Sequence, residues 1–291
     1  MMRVTDTMLW DLSRKHLVRA QARMFAATER VASGRKLDKP SDAPADTAHL
    51  RSIDASLARL RSGEVGASRA ELQLRGSETV LGDIGTLVGR ARELAITGAD
   101  GGQSAASRGA MAIEVAALRD QIRALSNAKV GGVYVFGGFK TAAPPFLADG
   151  TYLGDDGRRE VEALPGLRVT ANVSGRQAFT AAGGVDLFGV LTQLETDLSA
   201  NDQAAVAARL DDLTTASRQV LAQRVLAGGQ LLRIESAGAV RADSIVRLEE
   251  TRSGLRDVDV PGAITEMAQA QNALRLALQT ASQILEMTRA A

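Results

Sequence analysis

Cysteine is absent from the 291-residue chain, and other residue types that carry chemistry are scarce. Without cysteine there can be no disulfide and no thiolate metal site. The two histidines, His16 and His49, lie far apart in the sequence, so they favour neither a histidine-based metal site nor a Ser/His/Asp arrangement. We therefore expect no catalytic residue, no cofactor-binding residue and no metal ligand, and we expect that the protein is not an enzyme.

Long apolar runs and an excess of one charge are also missing. No stretch approaches the roughly 18 apolar residues that a membrane-spanning helix needs. The 35 basic and 34 acidic residues leave a net charge of +1, so no global field favours nucleic acid or an anionic membrane. The first residues lack the apolar region and the small-residue cleavage site of a secretory signal peptide. These absences predict no nucleic-acid partner, no membrane partner and no cleaved signal.

What the chain does contain is apolar or small residues at alternating steps of three and four, which is typical of a coiled-coil seam. Such a stripe can also be an ordinary buried seam of a helical bundle. We predict that the terminal segments, residues 1–40 and 256–291, pair with each other and serve as assembly segments. The predicted interface residues are Leu17, Met24, Val31, Ile264, Met267, Leu274, Leu278 and Leu285, with Gln271 interrupting the C-terminal seam.

Longer helical patterns fill residues 41–139 and 185–255, which we predict to be the two halves of a helical core. Ser41 and Asp42 before Pro44 mark a helix start, and the glycine-rich segment Thr97–Ala105 marks a break. Further breaks are predicted at residues 199–202 and 227–229. The predicted fold class is mainly α: an elongated helical bundle with terminal coiled-coil segments and a small inserted β domain.

The inserted β domain is predicted at residues 140–184, where Gly, Pro and Asp cluster. Short alternating runs at residues 159–164 and 167–173 flank Pro165 and Gly166, which favours two strands joined by a turn. Asp155, Asp156 and Glu160 could bind a divalent cation, but an Asp-Asp-Gly turn is usually a solvated loop. The preceding segment, VYVFGGFKTAAPPF, holds four of the nine aromatic residues of the chain. We predict that these residues, Tyr134, Phe136, Phe139 and Phe146, form the hinge of the insert.

Several motifs resemble one family. ERVASGRKLDKPSDAPADT (Glu29–Thr47) and the C-terminal segment Ser253–Met287 resemble the flagellin superfamily of bacterial flagellar axial proteins. YVFGGFKTAAPPF (Tyr134–Phe146), YLGDDGRREVE (Tyr152–Glu162) and ANVSGRQAF (Ala171–Phe179) resemble the branch of hook-associated proteins that join the hook to the filament. The resemblance spans almost the whole chain, although the C-terminus lacks the short apolar segment that usually closes members of this branch.

The resemblance implies a structural adaptor at the hook–filament junction of the extracellular flagellum. Such a protein is exported through the flagellar type III apparatus without cleavage. The implied partners are neighbouring copies of the chain, hook-associated protein 1 on the hook side, flagellin on the filament side and an export chaperone before secretion. The alternatives are a flagellin-like filament subunit and an unrelated coiled-coil interaction module.

Overall fold

The computed structural model describes residues 6–36 and 43–290. The chain is 75% helical, with seven α-helices and two small two-stranded sheets among the described residues, which confirms the predicted mainly helical fold with a small β insertion. In chain order the elements are α1 (Asp6–Ser33), α2 (Pro44–Gly98), α3 (Ala105–Ser126), β1 (Lys129–Val130), β2 (Val133–Tyr134), β3 (Glu160–Leu164), β4 (Leu167–Thr170), α4 (Gly175–Phe179), a 3₁₀ turn (Ala181–Gly183), α5 (Leu187–Ser199), α6 (Gln203–Arg256) and α7 (Val260–Ala290).

The chain divides into two compact units, Met1–Ala58 with Ser244–Ala291 and Arg59–Asp243. In the first unit, α1 packs against α7. The segment that follows α1 forms backbone hydrogen bonds with the connection between α6 and α7. The Lys36 N–H donates to the Arg256 carbonyl at 2.7 Å and the Val258 N–H donates to the Gly34 carbonyl at 3.0 Å. Gly34 has φ +67°, a conformation that favours glycine, so it allows the chain to leave α1 and pair there.

Helix boundaries of α2 and α3 follow the local chemistry of the sequence. The predicted break at Thr97–Ala105 is confirmed, because α2 ends at Gly98 and α3 begins at Ala105. Ser104 caps α3 by accepting a hydrogen bond from the Ser107 N–H at 3.1 Å, and this bond satisfies one of the free N–H groups at the helix start. The predicted start at Pro44 is also confirmed, whereas Ser41 and Asp42 lie outside the described residues.

The predicted break at residues 227–229 is wrong, since α6 runs without interruption from Gln203 to Arg256. Gly228 and Gly229 each weaken a helix by about 1 kcal/mol relative to alanine. Ala227 beside them is buried, and so are Val220 and Ile234 on the same helix. Tertiary packing of this kind supplies most of the stability of helices in proteins, so it overrides the local cost of two glycines.

One hydrophobic core holds the second unit together. Its largest fully buried side chains come from four helices and from the insert. They are Leu74, Leu81 and Ile84 on α2, Ile122 on α3, Leu187, Leu191, Leu194 and Leu198 on α5, Leu213 on α6, and Phe136 and Phe179 of the insert region. Because insert residues belong to the same cluster as the helices, the β elements share the helical core and do not have a separate one.

The two sheets of the insert region are antiparallel hairpins. β1 and β2 are joined by Gly131 and Gly132, with φ of +60° and +84°, and two consecutive positive φ values are what the tightest hairpin turns require. β3 and β4 pair across Pro165 and Gly166 with an irregularity between Glu162 and Leu164, so the strands predicted on either side of this turn are confirmed.

Candidate functional site: the terminal helix pair and the insert

The face of α1 that meets α7 is a regular heptad stripe. Alternating steps of four and three residues connect buried Ser13, Ala20 and Ala27 with half-buried Leu17, Met24 and Val31. Arg30 forms an ion pair with Glu266 at 3.0 Å, and a groove of about 230 Å³ farther along is lined by Leu12, Ser13 and His16 of α1 and by Ala277, Thr280 and Ile284 of α7. Early residues of α1 thus face late residues of α7, so the two helices run antiparallel.

The matching stripe on α7 differs from the predicted stripe. At every second position the contacting residue lies one residue earlier in the sequence. The observed stripe consists of Ala263, Met267, Ala270, Leu274, Ala277, Ala281 and Ile284, all of them buried or half-buried. We call this set the inner stripe. The structure places the predicted residues Met267 and Leu274 in it. Its small side chains allow two helix backbones to approach closely, which larger side chains at the same positions would prevent.

The predicted residues Ile264 and Leu278 lie outside the inner stripe. They are 48% and 50% exposed, and Val260 on the same side of α7 is 54% exposed. We call these three residues the outer stripe; Gln271 lies between its members and is exposed. Within the single chain, Ile264 and Leu278 therefore lie outside the face that pairs with α1, and their predicted role in the assembly interface stays a prediction. The side chain of the predicted residue Leu285 lies outside the described ones.

Helix α1 also leaves large apolar side chains in solvent. Val18 and Phe25, seven residues apart, are 58% and 75% exposed, and Leu12 is 54% exposed. Contiguous exposed apolar surface on a soluble protein commonly marks an interaction site. The α1–α7 pair thus carries apolar surface on both helices beyond what their mutual contact covers.

The four aromatic residues predicted as the hinge of the insert have different environments. Phe136 and Phe146 are buried, Tyr134 is half-buried with the Lys129 Nζ 4.6 Å from its ring centroid, and Phe139 is 64% exposed. The Phe146 backbone is held by Asn127, whose side chain accepts from its N–H and donates to its carbonyl, both at 2.9 Å. The structure therefore brings two of the four into the core.

Sequence reasoning missed the partners of these two rings. Phe179 meets Phe136 and Phe146 edge-on, with ring centroids 5.2 and 5.5 Å apart, and Phe188 and Tyr152 contact Phe146 at 5.4 and 5.0 Å. Edge-to-face geometry at these distances is favourable because of the ring quadrupoles. The cluster ties the segment before the insert to the segments that follow it. Its only sequence signal was the rarity of aromatic residues.

A turn centred on Asp155 ties residue 139 to residue 157. One oxygen of this carboxylate accepts from the Phe139 N–H at 2.7 Å and from the Gly157 N–H at 2.8 Å, and these two bonds hold the pKa of Asp155 below its ordinary value. The Tyr152 hydroxyl lies 3.0 Å from the carbonyl oxygens of Phe136 and Asp155. Burial, followed by the charges of Asp156 and Asp155, raises the pKa of Tyr152 to about 12.

Buried arginines act as structural clamps. Arg108 donates from three nitrogens to the Gly98 carbonyl at 2.7 Å, the Asn201 Oδ1 at 2.5 Å and the Asp100 carbonyl at 2.7 Å. Arg241 donates to the Ala163 carbonyl and so fixes β3 to α6. Each joins segments far apart in sequence, which is a structural role.

Arg159 differs from these clamps, because its Nε and Nη2 are buried without a hydrogen-bond partner among the described residues. Burial lowers the pKa of Arg159, because the charged guanidinium loses its hydration.

The described part of the chain offers no obvious reactive centre. His16 and His49 are both exposed. No group of three or more His, Asp or Glu side chains among the described residues is arranged to hold a metal ion. Likewise, none of the helices in residues 6–36 and 43–290 combines the length and apolarity that crossing a membrane requires.

Comparisons with known proteins show similarity to bacterial flagellar proteins. Residues 8–141 match the bacterial flagellin N-terminal helical region. Over 94% of each chain the sequence is 25% identical to flagellar hook-associated protein 3 of Escherichia coli, and over 96% of each chain it is 25% identical to the protein of that name from Salmonella typhimurium.

Solved structures show the same fold at lower identity. A putative flagellar hook-associated protein from Vibrio parahaemolyticus has a TM-score of 0.66 at 20% identity, covering 74% of this chain and 100% of that one. The flagellar junction protein FlgL from Legionella pneumophila has a TM-score of 0.59 at 15% identity, covering 72% and 99%.

Proposed function

We infer the role of this chain from its family: it is a flagellar hook-associated protein of the flagellin superfamily, a structural protein of the bacterial hook–filament junction. We propose that it acts there as an adaptor, with hook-associated protein 1 on the hook side, flagellin on the filament side and further copies of itself around the axis. Full-length similarity to hook-associated protein 3 of two bacteria supports this role. The proposal includes an export chaperone before secretion, a location outside the cell and no catalytic activity.

The observation that carries the proposal is the outer stripe of α7. Val260, Ile264 and Leu278 are about half exposed although they continue the heptad spacing of the helix. An apolar stripe at this spacing is what a partner helix covers in a coiled coil. We propose that neighbouring subunits cover the outer stripe in the junction, while the inner stripe keeps α7 on α1. Contacts of this kind between different faces of identical subunits build open helical or ring-shaped assemblies.

We further propose that residues 1–40 and 256–291 are the assembly segments and that residues 41–139 and 185–255 are the helical core. Residues 140–184 would be the outer insert, with Tyr134, Phe136, Phe139 and Phe146 at its base. Mutual packing of α1 and α7 supports the first assignment. The aromatic contacts of Phe136 and Phe146 support the last.

Deletion of the gene in its own host tests the proposed function. The expected mutant builds hooks, does not swim and sheds flagellin into the medium, because no adaptor holds the filament on the hook. A plasmid copy of the gene should restore filaments. A mutant that keeps filaments of normal length would contradict the adaptor role. Polymerisation of the purified chain into long filaments by itself would instead indicate a filament subunit.

A further inference from the structure

A groove runs along one side of the α1–α7 pair. One part of it, of about 330 Å³, is lined by both helices, with Arg23, Ala26 and Arg30 on the α1 wall and Glu266, Gln269 and Ala273 on the α7 wall. The other part is the groove of about 230 Å³ that Leu12 and His16 form with the later part of α7. Among the described residues, none of α2–α6 lines either part.

Helical spacing places both parts on the same side of the pair. The exposed α1 residues that line them, and Arg19 between them, come directly before members of the stripe that meets α7. The exposed α7 residues of the lining likewise come directly before members of the inner stripe. Because consecutive helix residues are about 100° apart, Ile264 and Leu278, which directly follow inner-stripe residues, lie on the opposite side. We call the continuous groove the side groove; from Leu12 to Arg30 it is about 27 Å long.

The charge along the side groove is mainly positive. Over residues 12–30 and 266–284 the basic residues are Arg14, Lys15, Arg19, Arg23, Arg30 and Arg275, and the acidic residues are Glu29 and Glu266. Glu266 forms an ion pair with Arg30 at 3.0 Å. Glu29 lies on the back of α1, two residues beyond the stripe residue Ala27. Arg19 and Arg23 are exposed and have no ion-pair partner among the described residues, so the α1 wall keeps two uncompensated positive charges.

A helix with carboxylates is the occupant that matches both the charges and the small side chains of the side groove. Arg19, Arg23 and Arg30 are four and seven residues apart, the spacing at which a second helix presents side chains to the same side. Ala26 and Ala273 leave room for a helix backbone to approach. A flexible polyanion would use the arginines alone.

An anionic membrane fits less well. A helix that lies on a membrane needs apolar side chains on the face that enters it, with basic residues around them. Here the large exposed apolar residues Val18, Phe25 and Ile264 directly follow stripe residues. They therefore lie on the side opposite to Arg19 and Arg23.

We propose that the side groove binds one amphipathic helix supplied by another protein. Carboxylates of that helix lie near Arg19 and Arg23, and its apolar side chains pack against Ala273 and Ala277. Charges that flank an apolar seam select the partner and its orientation in coiled coils. The proposal goes beyond the role at the hook–filament junction and does not depend on what covers the outer stripe.

The test uses the full-length chain and a fluorescent peptide of three repeats of Leu-Ala-Gln-Leu-Glu-Ala-Glu. Its glutamates flank the leucines, so copies of the peptide repel each other. We expect a saturable rise in fluorescence anisotropy with Kd of about 0.1 mM or tighter, and weaker binding at high salt because salt screens exposed charges. The same peptide with Lys in place of every Glu should bind at least about tenfold more weakly.

Two pairs of arginines provide matched variants. Arg19→Gln combined with Arg23→Gln removes two charges from the side groove and should weaken binding of the Glu peptide about three- to tenfold. Arg14→Gln combined with Arg275→Gln removes two charges from the opposite side and should stay within about twofold of wild type. All four residues are exposed, so both double variants should fold as the wild type does, which circular dichroism checks.

A second pair of variants locates the peptide. Ala273→Glu places a carboxylate on the α7 wall of the side groove and should abolish binding of the Glu peptide. Ser282→Glu adds the same charge at an exposed position directly after an inner-stripe residue, on the opposite side. It should leave binding within about twofold of wild type.

Four results would overturn the proposal. Equal binding of the Glu and Lys peptides would show that charge does not select the occupant. Equal effects of the two arginine pairs, or of Ala273→Glu and Ser282→Glu, would place the peptide elsewhere. Dimerisation in analytical ultracentrifugation that Arg19→Gln with Arg23→Gln removes would identify a second copy of this chain as the occupant. Sedimentation with phosphatidylglycerol vesicles that the same substitutions remove would identify a membrane.

Discussion

Neighbouring residues on α7 allow the two stripes to be tested separately. Leu278 is half exposed on the outer stripe, whereas Ala277 lines the groove against Leu12, Ser13 and His16 of α1. We predict that Leu278→Asp leaves the isolated protein stable but prevents it from holding the filament. We predict the opposite order of effects for Ala277→Asp, which should loosen the α1–α7 pair before any assembly takes place.

The magnitudes follow from exposure. An aspartate at an exposed helix position changes stability by about 0.5 kcal/mol or less. Full burial of a leucine is worth about 1.5–3 kcal/mol, so covering the exposed half of Leu278 contributes roughly 1 kcal/mol per copy. An unpaired carboxylate in the covered position would cost several kcal/mol more, or it would have to take up a proton. At half-buried Ala277 an aspartate costs the free protein about 1–3 kcal/mol.

Three measurements check this prediction. Thermal unfolding by circular dichroism should place Leu278→Asp within a few degrees of wild type, and limited proteolysis should release α1 and α7 faster in Ala277→Asp. Complementation of the gene deletion should then give normal export of Leu278→Asp with flagellin in the medium. If Leu278→Asp melts far below wild type, the outer stripe is part of the folded core. If it restores swimming, the outer stripe is not an assembly surface.

Three further predictions concern the second unit. Phe179→Ala should destabilise the protein by about 3–5 kcal/mol in chemical denaturation, whereas Phe139→Ala, at a 64% exposed position, should stay within about 0.5 kcal/mol; equal losses would contradict the aromatic core. Arg108→Lys should lower the melting temperature as Arg108→Met does, since an ammonium cannot donate in the three directions that the guanidinium uses, and full rescue by lysine would refute this. Because two N–H groups lower the folded pKa of Asp155 below its unfolded value, its stabilisation is present above the unfolded pKa and is lost as pH falls through the folded pKa. Asp155→Asn should therefore flatten the acid limb of the stability–pH profile below about pH 4, and an unchanged profile would count against that role.

The register of α7 shows where sequence patterns stop being decisive. Met267 and Leu274 belong to both possible seams, so the heptad spacing alone cannot choose between Ala277 and Leu278 as the next contact. Hydrophobicity favours the leucine, and the prediction followed it. The structure selects the alanines because α1 also presents alanines, Ala20 and Ala27, at the contact. Complementarity between two helices depends on both surfaces, and a pattern read along one helix contains only one of them.

In the insert, too, features set by neighbouring residues could be predicted from the sequence, whereas contacts between residues distant in the sequence could not. Its turn at Pro165–Gly166 was predictable, because proline and glycine have strong backbone preferences. The aromatic core was not, because Phe146 meets Phe179 and Phe188, which lie more than thirty residues further along the chain. Local chemistry determines where a hairpin turns. Which aromatic rings pack against Phe146 depends on how the intervening chain folds back.

The two stripes of α7 also suggest why one helix can serve both folding and assembly. Four of the seven residues of the inner stripe are alanines, and each alanine methyl contributes only about 0.8 kcal/mol when buried. The α1–α7 contact is therefore modest for helices of 28 and 31 residues. Larger apolar side chains, including Leu278 and Phe25, remain on the outside. If neighbouring subunits cover these side chains as proposed, assembly would stabilise the terminal helices as well as join the subunits.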